Sequence, residues 1–325
     1  MAKLTLITAP ASESDCLYLL HPWVQPHLSI AIETVTYDPA HTYNPREHAV
    51  LINYVGQLEN SAWYRMAQEL GLRIIVEHLG DSDVERTSHV DHGVLTLRNP
   101  NWMWYNACWQ WTWHELDQYQ PARNYQHSFL MPMNLPRWHR DRAVKDLAAL
   151  LPNALYSYAS RGRELPGTPP PHISWQGYMN PEWYDSTPYS VVVESYMRSR
   201  YNLNTPSSYR TEVSEKIFKP MLGQHPFIVY GSVDTLQYLH REGFVTYDNL
   251  FDQAYDTVAE DADRFTCVTQ VVKQAVQDYP VSTFCLDSET LQRIQHNHAR
   301  LFDRVTVEQR FKAEVIGDIL EWWES

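Results

Sequence analysis

Short apolar segments alternate with turn-rich or helical segments through the first third of the sequence, and this alternation restricts the fold more than any other feature. Each apolar segment has six to eight residues rich in Val, Ile, Leu and Thr, which is typical of buried strands in a parallel sheet. The segments are KLTLIT (3–8), LSIAIETV (28–35), AVLINYV (49–55), LRIIVEHL (72–79) and GVLTLR (93–98). Between two of them, ENSAWYRMAQELG (59–71) predicts a helix that ends at Gly71. This order predicts an open α/β sheet.

The second half of the sequence alternates in the same way and predicts a second α/β domain. At 325 residues the chain exceeds the length of one small core, and two domains of about 150 residues are expected. Further strands are predicted at SFLMPMN (128–134), SVVVESY (190–196) and HPFIVYG (225–231). We expect a first domain over 1–126, a second domain over 127–302 and a C-terminal helix over 303–325.

Helices are expected between and after these strands. The helical segments are RWHRDRAVKDLAALLPN (137–153), SEKIFKPMLGQ (214–224) and VDTLQYLHREG (233–243). FVTYDNLFDQAYD (244–256) predicts a short strand and a loop, and the chain from about residue 257 onward is predicted to be helical. The apolar face of the last helix either packs back on the first domain or completes the second.

Tryptophan is concentrated in NWMWYNACWQWTWHELDQY (101–119), which holds five of the twelve tryptophans of the chain. Part of this segment is predicted to be helical. One interpretation is a helix of the core, and the other is an aromatic wall on which a sugar or a base stacks.

The charge balance disfavours a general nucleic-acid binder, because such proteins carry a basic face and this chain has a net charge of −13. One local basic segment stands out, RWHRDRAVK (137–145). No apolar run approaches the roughly 20 residues that cross a bilayer, so no membrane partner is expected. MAKLTLITAP predicts a first strand rather than a signal peptide, which favours a cytoplasmic protein.

The cysteines and histidines do not form a metal-binding pattern. The four cysteines, Cys16, Cys108, Cys267 and Cys285, are scattered without a CxxC pair, which favours free thiols in a reducing compartment. The fifteen histidines include no HExxH pattern, so we expect no metal site and no bound cofactor.

Charged residues of the second half follow its predicted strands, where α/β sheets present their ligands. Glu194 ends the strand SVVVE, and Glu215 and Lys216 begin the next helix after Ser214. Arg137 and Arg140 follow SFLMPMN. A nucleoside diphosphate needs such a set: cations and helix-end amides for phosphate, and a carboxylate for ribose hydroxyls. A glutamate–lysine pair at a helix start also occurs as simple surface capping, so the order of the whole set carries the prediction.

Residues 189–256 resemble the C-terminal half of GT-B glycosyltransferases, in particular the α-1,3-fucosyltransferase-like proteins and related virus-encoded enzymes. The resemblance consists of VVVES, SEKIFKP, HPFIVYGS and GFVTYDNLFDQAYD in this order, with Ser214 where Thr is commoner. It implies two Rossmann-like domains that face a cleft. It also implies that Glu215 binds the donor ribose, that Lys216 binds the diphosphate and that Glu194 lines the same pocket. Arg137 or Arg140 corresponds to a phosphate-binding arginine, and the choice between them stays open.

The resemblance implies a metal-independent enzyme and does not extend to the acceptor side. Inverting transfer needs a general base, which we expect from the first domain. IIVEHLGDSD (74–83) offers Glu77, Asp81 and Asp83 after a strand, besides His78. Glu59 of QLENS is a further alternative.

The sequence therefore predicts a hexosyl- or pentosyltransferase that uses a nucleoside-diphosphate sugar. A glycan or a small molecule is the favoured acceptor, and a hydroxymethylated base of DNA is the alternative, as in phage enzymes that modify their own genomes. A non-catalytic nucleotide- or glycan-binding module on the same fold is the competing hypothesis. A nucleotide-sugar epimerase is disfavoured, because the first strand leads into TAPASESD and not into a GxGxxG turn.

Overall fold

The structure, a computed structural model, describes residues 3–8, 31–36, 48–54, 62–78, 87–91, 94–98, 101–165, 178–195, 197 and 213–324. The chain forms two compact units. The first comprises Met1–Trp109 together with Arg304–Ser325, and the second comprises Gln110–Asp303. The C-terminal helical segment thus belongs to the first unit, and the first break falls earlier in the chain than residue 126.

A six-stranded sheet with the order β2-β1-β3-β4-β6-β5 forms the first unit. The strands are β1 (Lys3–Thr8), β2 (Ala31–Thr36), β3 (His48–Tyr54), β4 (Arg73–His78), β5 (Thr87–Asp91) and β6 (Val94–Arg98). All neighbours pair in parallel except β5, which runs antiparallel to β6. Strand β5 was not predicted, because an edge strand with the polar sequence TSHVD shows no apolar pattern. The predicted α/β class with parallel strands is confirmed.

Helices lie between and after the strands in the described part of the chain. They are α1 (Ala62–Glu69), α2 (Trp102–Trp113), α3 (Trp138–Asp146), α4 (Pro181–Asp185), α5 (Glu215–Leu222), α6 (Thr235–Arg241), α7 (Asp261–Asp278), α8 (Ser288–Leu301), α9 (Arg304–Phe311) and α10 (Gly317–Glu324), with a π-helical segment at Lys312–Ile316. Gly71 follows α1 with a positive φ of 64°, a conformation that glycine adopts without strain, as expected for a helix end. The predicted helical character of the chain beyond residue 257 is confirmed.

The tryptophans of α2 belong mainly to the core. Trp104, Trp109 and Trp111 are buried, whereas Trp113 is 58% exposed. Trp109 packs edge-on against Phe311 of α9, with ring centroids 4.7 Å apart. The core interpretation is therefore confirmed for the three buried rings, and the aromatic-wall interpretation is wrong for them, because no ligand can stack on a ring without exposed surface.

Arg73 of β4 joins the C-terminal helix to the first sheet. Its Nη1 donates hydrogen bonds to the carbonyl oxygens of Trp322, at 3.2 Å, and Trp323, at 2.6 Å. The guanidinium also lies over both indole rings, 5.5 and 5.1 Å from their centroids. These contacts combine hydrogen bonds to the orphan carbonyls of a helix end with cation–π attraction, and they place the last helix on the first unit.

A four-stranded parallel sheet with the order β10-β9-β7-β8 forms the second unit. The strands are β7 (Leu130–Met131), β8 (Leu155–Tyr156), β9 (Ser190–Val193) and β10 (Phe227–Tyr230). The predicted helix over 137–153 ends early, because the hydrogen bonds after α3 tighten to three-residue spacing and Pro152 lies in a 3₁₀ turn at Leu151–Asn153.

The strand predicted at the start of 244–256 is wrong. The backbone there pairs with a side chain instead of a neighbouring strand. Val245 donates its N–H to Oδ1 of Asn297, and Nδ2 of Asn297 donates to the Val245 carbonyl, both at 2.8 Å. Asn297 lies on α8 and is fully buried. The Asn297 side chain thus satisfies the N–H and the carbonyl of Val245, which in a sheet would bond to a neighbouring strand.

The described helices include none that is long and apolar enough to span a membrane. Cys108 is buried, and Cys267 and Cys285 are exposed free thiols. Cys16 lies outside the described residues.

His225, just before β10, predicts acid sensitivity of the fold. Its Nε2 donates to the Tyr184 carbonyl at 2.6 Å, and Nδ1 accepts from the Ser190 hydroxyl at 3.1 Å, an arrangement that requires the neutral ring. Burial lowers the pKa of His225 to about 4, although the Tyr184 carbonyl opposes the shift. Neutral His225 therefore contributes to the stability of the native state. Because the pKa of histidine in the unfolded state is about 6.5, this contribution is complete above about pH 6.5 and is lost as the pH falls towards 4.

We expect His225 to contribute a loss of about 2 kcal/mol in the free energy of unfolding between pH 7.5 and pH 5. His225→Gln keeps a donor and an acceptor but cannot titrate, so its urea unfolding free energy should fall less over this range. Equal losses in the two proteins would contradict the assignment.

Candidate functional site

The carboxyl ends of β7, β9 and β10 lie at one edge of the second sheet, because these strands are parallel. Helix α5 belongs to the same region and begins after Ser214, whose side chain accepts a hydrogen bond from the Lys216 N–H. The apolar residues of α5 are buried and leave a half-buried polar face with Glu215, Lys216 and Lys219. This amphipathic pattern fixes which charged groups of SEKIFKP lie at the surface.

Glu194 follows β9 and is buried, with 1% of its surface exposed. Its Oε1 accepts the Ser214 N–H at 3.2 Å, and its Oε2 accepts the Ser195 N–H at 3.2 Å and the Ser214 hydroxyl. Burial raises the pKa of Glu194, while the charge of Lys216 and the Ser214 hydroxyl oppose this shift. The carboxylate thus fastens the start of α5 to the end of β9.

Lys216 lies beside this carboxylate with a quarter of its side chain exposed. Its Nζ donates to the Ser195 hydroxyl at 3.0 Å, to the Ser214 hydroxyl at 3.2 Å and to Glu215 Oε1 at 2.9 Å. The ammonium group therefore sits at the amino end of α5, where helix-end amides also favour anions.

Two lysines surround Glu215. Burial alone would raise the pKa of Glu215, but the charges of Lys216 and Lys219 lower it. Burial lowers the pKa of Lys219 to about 8, against the opposing effect of Glu215. Glu215 is therefore ionised at neutral pH and is able to accept hydrogen bonds from ligand hydroxyls.

Arg140 and His139 of α3 bind the backbone at the same strand ends. Arg140 is 3% exposed, and its two terminal nitrogens donate to the carbonyls of Leu135 at 2.8 Å, Glu194 at 3.1 Å and Val193 at 3.4 Å. His139 Nε2 donates to the Glu194 carbonyl at 3.0 Å. Burial lowers the pKa of His139 to about 4, so the ring is neutral. These two side chains hold the turn after β9 in place.

The two arginine candidates differ in exposure. Arg140 is enclosed and bound to carbonyl groups, whereas Arg137 caps the start of α3 in an extended conformation and is half-buried. Arg137 is the one with surface that a ligand can reach.

Only some of the candidate bases of the first domain lie among the described residues. Glu77 and His78 lie inside β4 and not after it, where Glu77 pairs with Asn53 and Leu97 of the neighbouring strands. The strand predicted at 72–79 includes both residues, and β4 extends to His78. Asp81, Asp83 and Glu59 lie outside the described residues.

The structure thus brings Glu194, Ser214, Glu215 and Lys216 into direct contact and connects Arg140 to them through the Glu194 carbonyl. No role was predicted for Ser195, Lys219 or His139. Ser195 and His139 adjoin predicted residues, and Lys219 lies one helical turn after Glu215, a spacing that places both on one face.

The basic segment 137–145 is partly neutralised. Arg142 pairs with Asp146 at 3.3 Å, and Asp141 pairs with Arg161 at 3.2 Å. Within the described ranges, no group of three or more His, Cys, Asp or Glu side chains is arranged to hold a metal ion.

No family model matches the sequence, and no curated protein matches it. Among solved structures, one described as the crystal structure of an alpha1,3-fucosyltransferase is 11% identical, with a TM-score of 0.44 over 94% of this chain and 92% of that one. Another, an alpha1,3-fucosyltransferase with GDP-fucose, is 12% identical, with a TM-score of 0.41 over 93% and 91%. Similarity at this level leaves the activity to be argued from the residues of the site.

Proposed function

We propose that this chain is a metal-independent glycosyltransferase of the GT-B type that transfers a hexose or pentose from a nucleoside-diphosphate sugar to a hydroxyl group. The observation that carries the proposal is the contact of Lys216 with Glu215 at the amino end of α5, at 2.9 Å, beside the buried Glu194. A cation and a carboxylate that lie next to each other, with 27% and 17% of their side chains exposed, suit the phosphates and the ribose diol of one nucleotide.

In this proposal the residues of the cluster have separate tasks. Lys216 and Arg137 bind the diphosphate, with the positive end of the α5 dipole beside them, and stabilise its charge as the glycosidic bond to the donor breaks. Glu215 accepts hydrogen bonds from the ribose hydroxyls. Positive side chains supply the stabilisation that a metal ion provides in other transferases.

The candidate residues on the acceptor side of the proposed site come from the sequence pattern. Transfer with inversion needs a base that removes the proton of the acceptor hydroxyl. Glu77, Asp81 and Asp83 remain the candidates for that base. A glycan or small-molecule acceptor is favoured over DNA, because the net charge is −13 and the arginines Arg142 and Arg161 of the second unit are paired with carboxylates.

A thermal-shift screen against UDP, GDP, CMP and their sugar conjugates tests the donor site. A nucleotide at a hundred times its Kd adds about 2.7 kcal/mol to the stability of the native state, which shifts the melting temperature measurably. We expect one nucleotide series to stabilise the protein. If none does so at millimolar concentration, the glycosyltransferase proposal is wrong.

A second assay separates an enzyme from a binding module. With the donor identified, release of the nucleoside diphosphate is measured in the presence of glycans or of DNA that contains hydroxymethylated bases. Turnover with one acceptor class identifies that class. Donor binding without turnover on any acceptor favours the non-catalytic module.

A further inference from the structure

The three protons of the Lys216 ammonium all have acceptors within the part of the chain that the structure describes. Two acceptors are the hydroxyls of Ser195 and Ser214, and the third is the Glu215 carboxylate. A ligand phosphate that binds Lys216 must therefore share or replace one of these partners. The two hydroxyls and the carboxylate differ in how firmly they are held.

The Ser214 hydroxyl is fixed by the buried carboxylate. It donates to Glu194 Oε2, and the backbone N–H of the same serine donates to Glu194 Oε1 at 3.2 Å. Because the Ser214 hydroxyl donates its proton in the hydrogen bond to Glu194, its oxygen has lone pairs that accept a hydrogen bond from Lys216. Glu194 also accepts the Ser195 N–H at 3.2 Å, which fixes the backbone that carries the second hydroxyl.

Glu194 itself is out of reach of a ligand. Only 1% of its surface is exposed, and its carboxylate oxygens accept three hydrogen bonds from the two serines. Its carbonyl is in turn bound by His139 and Arg140. The carboxylate can influence a bound molecule only through the groups that it orients.

We propose that Glu194 and Ser195 are positioning residues that orient the Lys216 ammonium towards a bound phosphate, and that Glu194 does not contact the ligand. In this arrangement the serine hydroxyls hold Lys216 from the protein side. Glu215, partly exposed like Lys216, is the partner that a phosphate oxygen replaces. The identity of the phosphate ligand rests on the proposed function, whereas the internal network does not.

Trace acetylation of the full chain with acetic anhydride tests the network without any ligand. Tandem mass spectrometry gives the labelling of Lys216 relative to Lys145, an exposed lysine at the last turn of α3. We expect this ratio to rise about three- to tenfold in both variants, because Ser195→Ala removes a hydrogen bond of the ammonium and Glu194→Gln disturbs the two serines that hold it. Ser195→Thr keeps a hydroxyl and should give the wild-type ratio.

Melting temperatures are measured alongside, since Glu194→Gln disturbs a buried group, while Ser195→Ala deletes one hydroxyl and should fold normally. Unchanged labelling of Lys216 in both variants would overturn the proposal and leave Glu194 a purely structural residue.

Calorimetric titration with the nucleoside diphosphate from the screen adds a binding measurement. We expect about three- to tenfold weaker binding in Ser195→Ala and recovery in Ser195→Thr. Wild-type affinity in Ser195→Ala contradicts the positioning role. If no nucleotide binds the wild-type protein, the proposed function fails, and the labelling experiment still decides whether the network orients Lys216.

Discussion

Lys216→Ala is expected to weaken the binding of the nucleoside diphosphate about ten- to hundredfold, because a hydrogen bond to a charged group contributes about 1.5–3 kcal/mol. The melting temperature of the unliganded protein should change little. Glu215 keeps Lys219 as an electrostatic partner, and part of the Lys216 side chain is already exposed. Isothermal titration calorimetry at low and moderate salt gives the affinities, and the difference should shrink as salt rises.

Lys145→Ala is the matched control, since it removes an exposed lysine of the same unit at the far end of α3. Its nucleotide affinity should equal that of the wild type. Equal affinities for wild type and Lys216→Ala would remove Lys216 from the phosphate site.

Arg140→Ala and Arg137→Ala should separate stability from binding. Arg140→Ala removes the side-chain donor to the carbonyls of Val193 and Leu135 and one of the two donors to the Glu194 carbonyl, which keeps His139. We expect a loss of about 3 kcal/mol or more in the free energy of unfolding, measured in urea at pH 7.5, since each unsatisfied buried acceptor costs about 1–3 kcal/mol. Arg137→Ala, at a half-buried position, should lose less than about 1 kcal/mol.

The loss of nucleotide affinity should be larger in Arg137→Ala than in Arg140→Ala, the opposite of the order expected for the loss of stability. Arg137→Ala is expected to bind the nucleoside diphosphate about tenfold more weakly if its guanidinium contacts phosphate. A stable Arg140→Ala protein with reduced affinity, together with unaffected binding in Arg137→Ala, would reverse the assignment of the two arginines.

The sequence predicts most of the fold because buried parallel strands carry an unmistakable apolar signal. Strand β10 is an example, with all four residues buried as its sequence FIVY indicates. The polar edge strand β5 and the two-residue strand β8 have no such signal. The error at Val245 has another cause: its backbone partner is Asn297, more than fifty residues away, and no local pattern reveals it.

The sequence predicts which residues form the candidate site, but it does not predict which of them can contact a ligand. Strand ends and a helix start bring Glu194, Ser214, Glu215 and Lys216 together, and their order along the chain indicates this. Exposure is a property of the packed structure. It makes Glu194 and Arg140 internal groups, and a sequence pattern cannot distinguish them from residues that face a ligand.

The pairing of Asn297 with Val245 has a consequence for redesign of this region. The backbone of Val245, in the loop after α6, is held by a side chain of α8, so exposed loop positions can be varied in a library while this pairing is kept. Position 297 has no such freedom. Aspartate lacks the donor and leucine lacks both groups, so either substitution at this position would break the pairing with Val245.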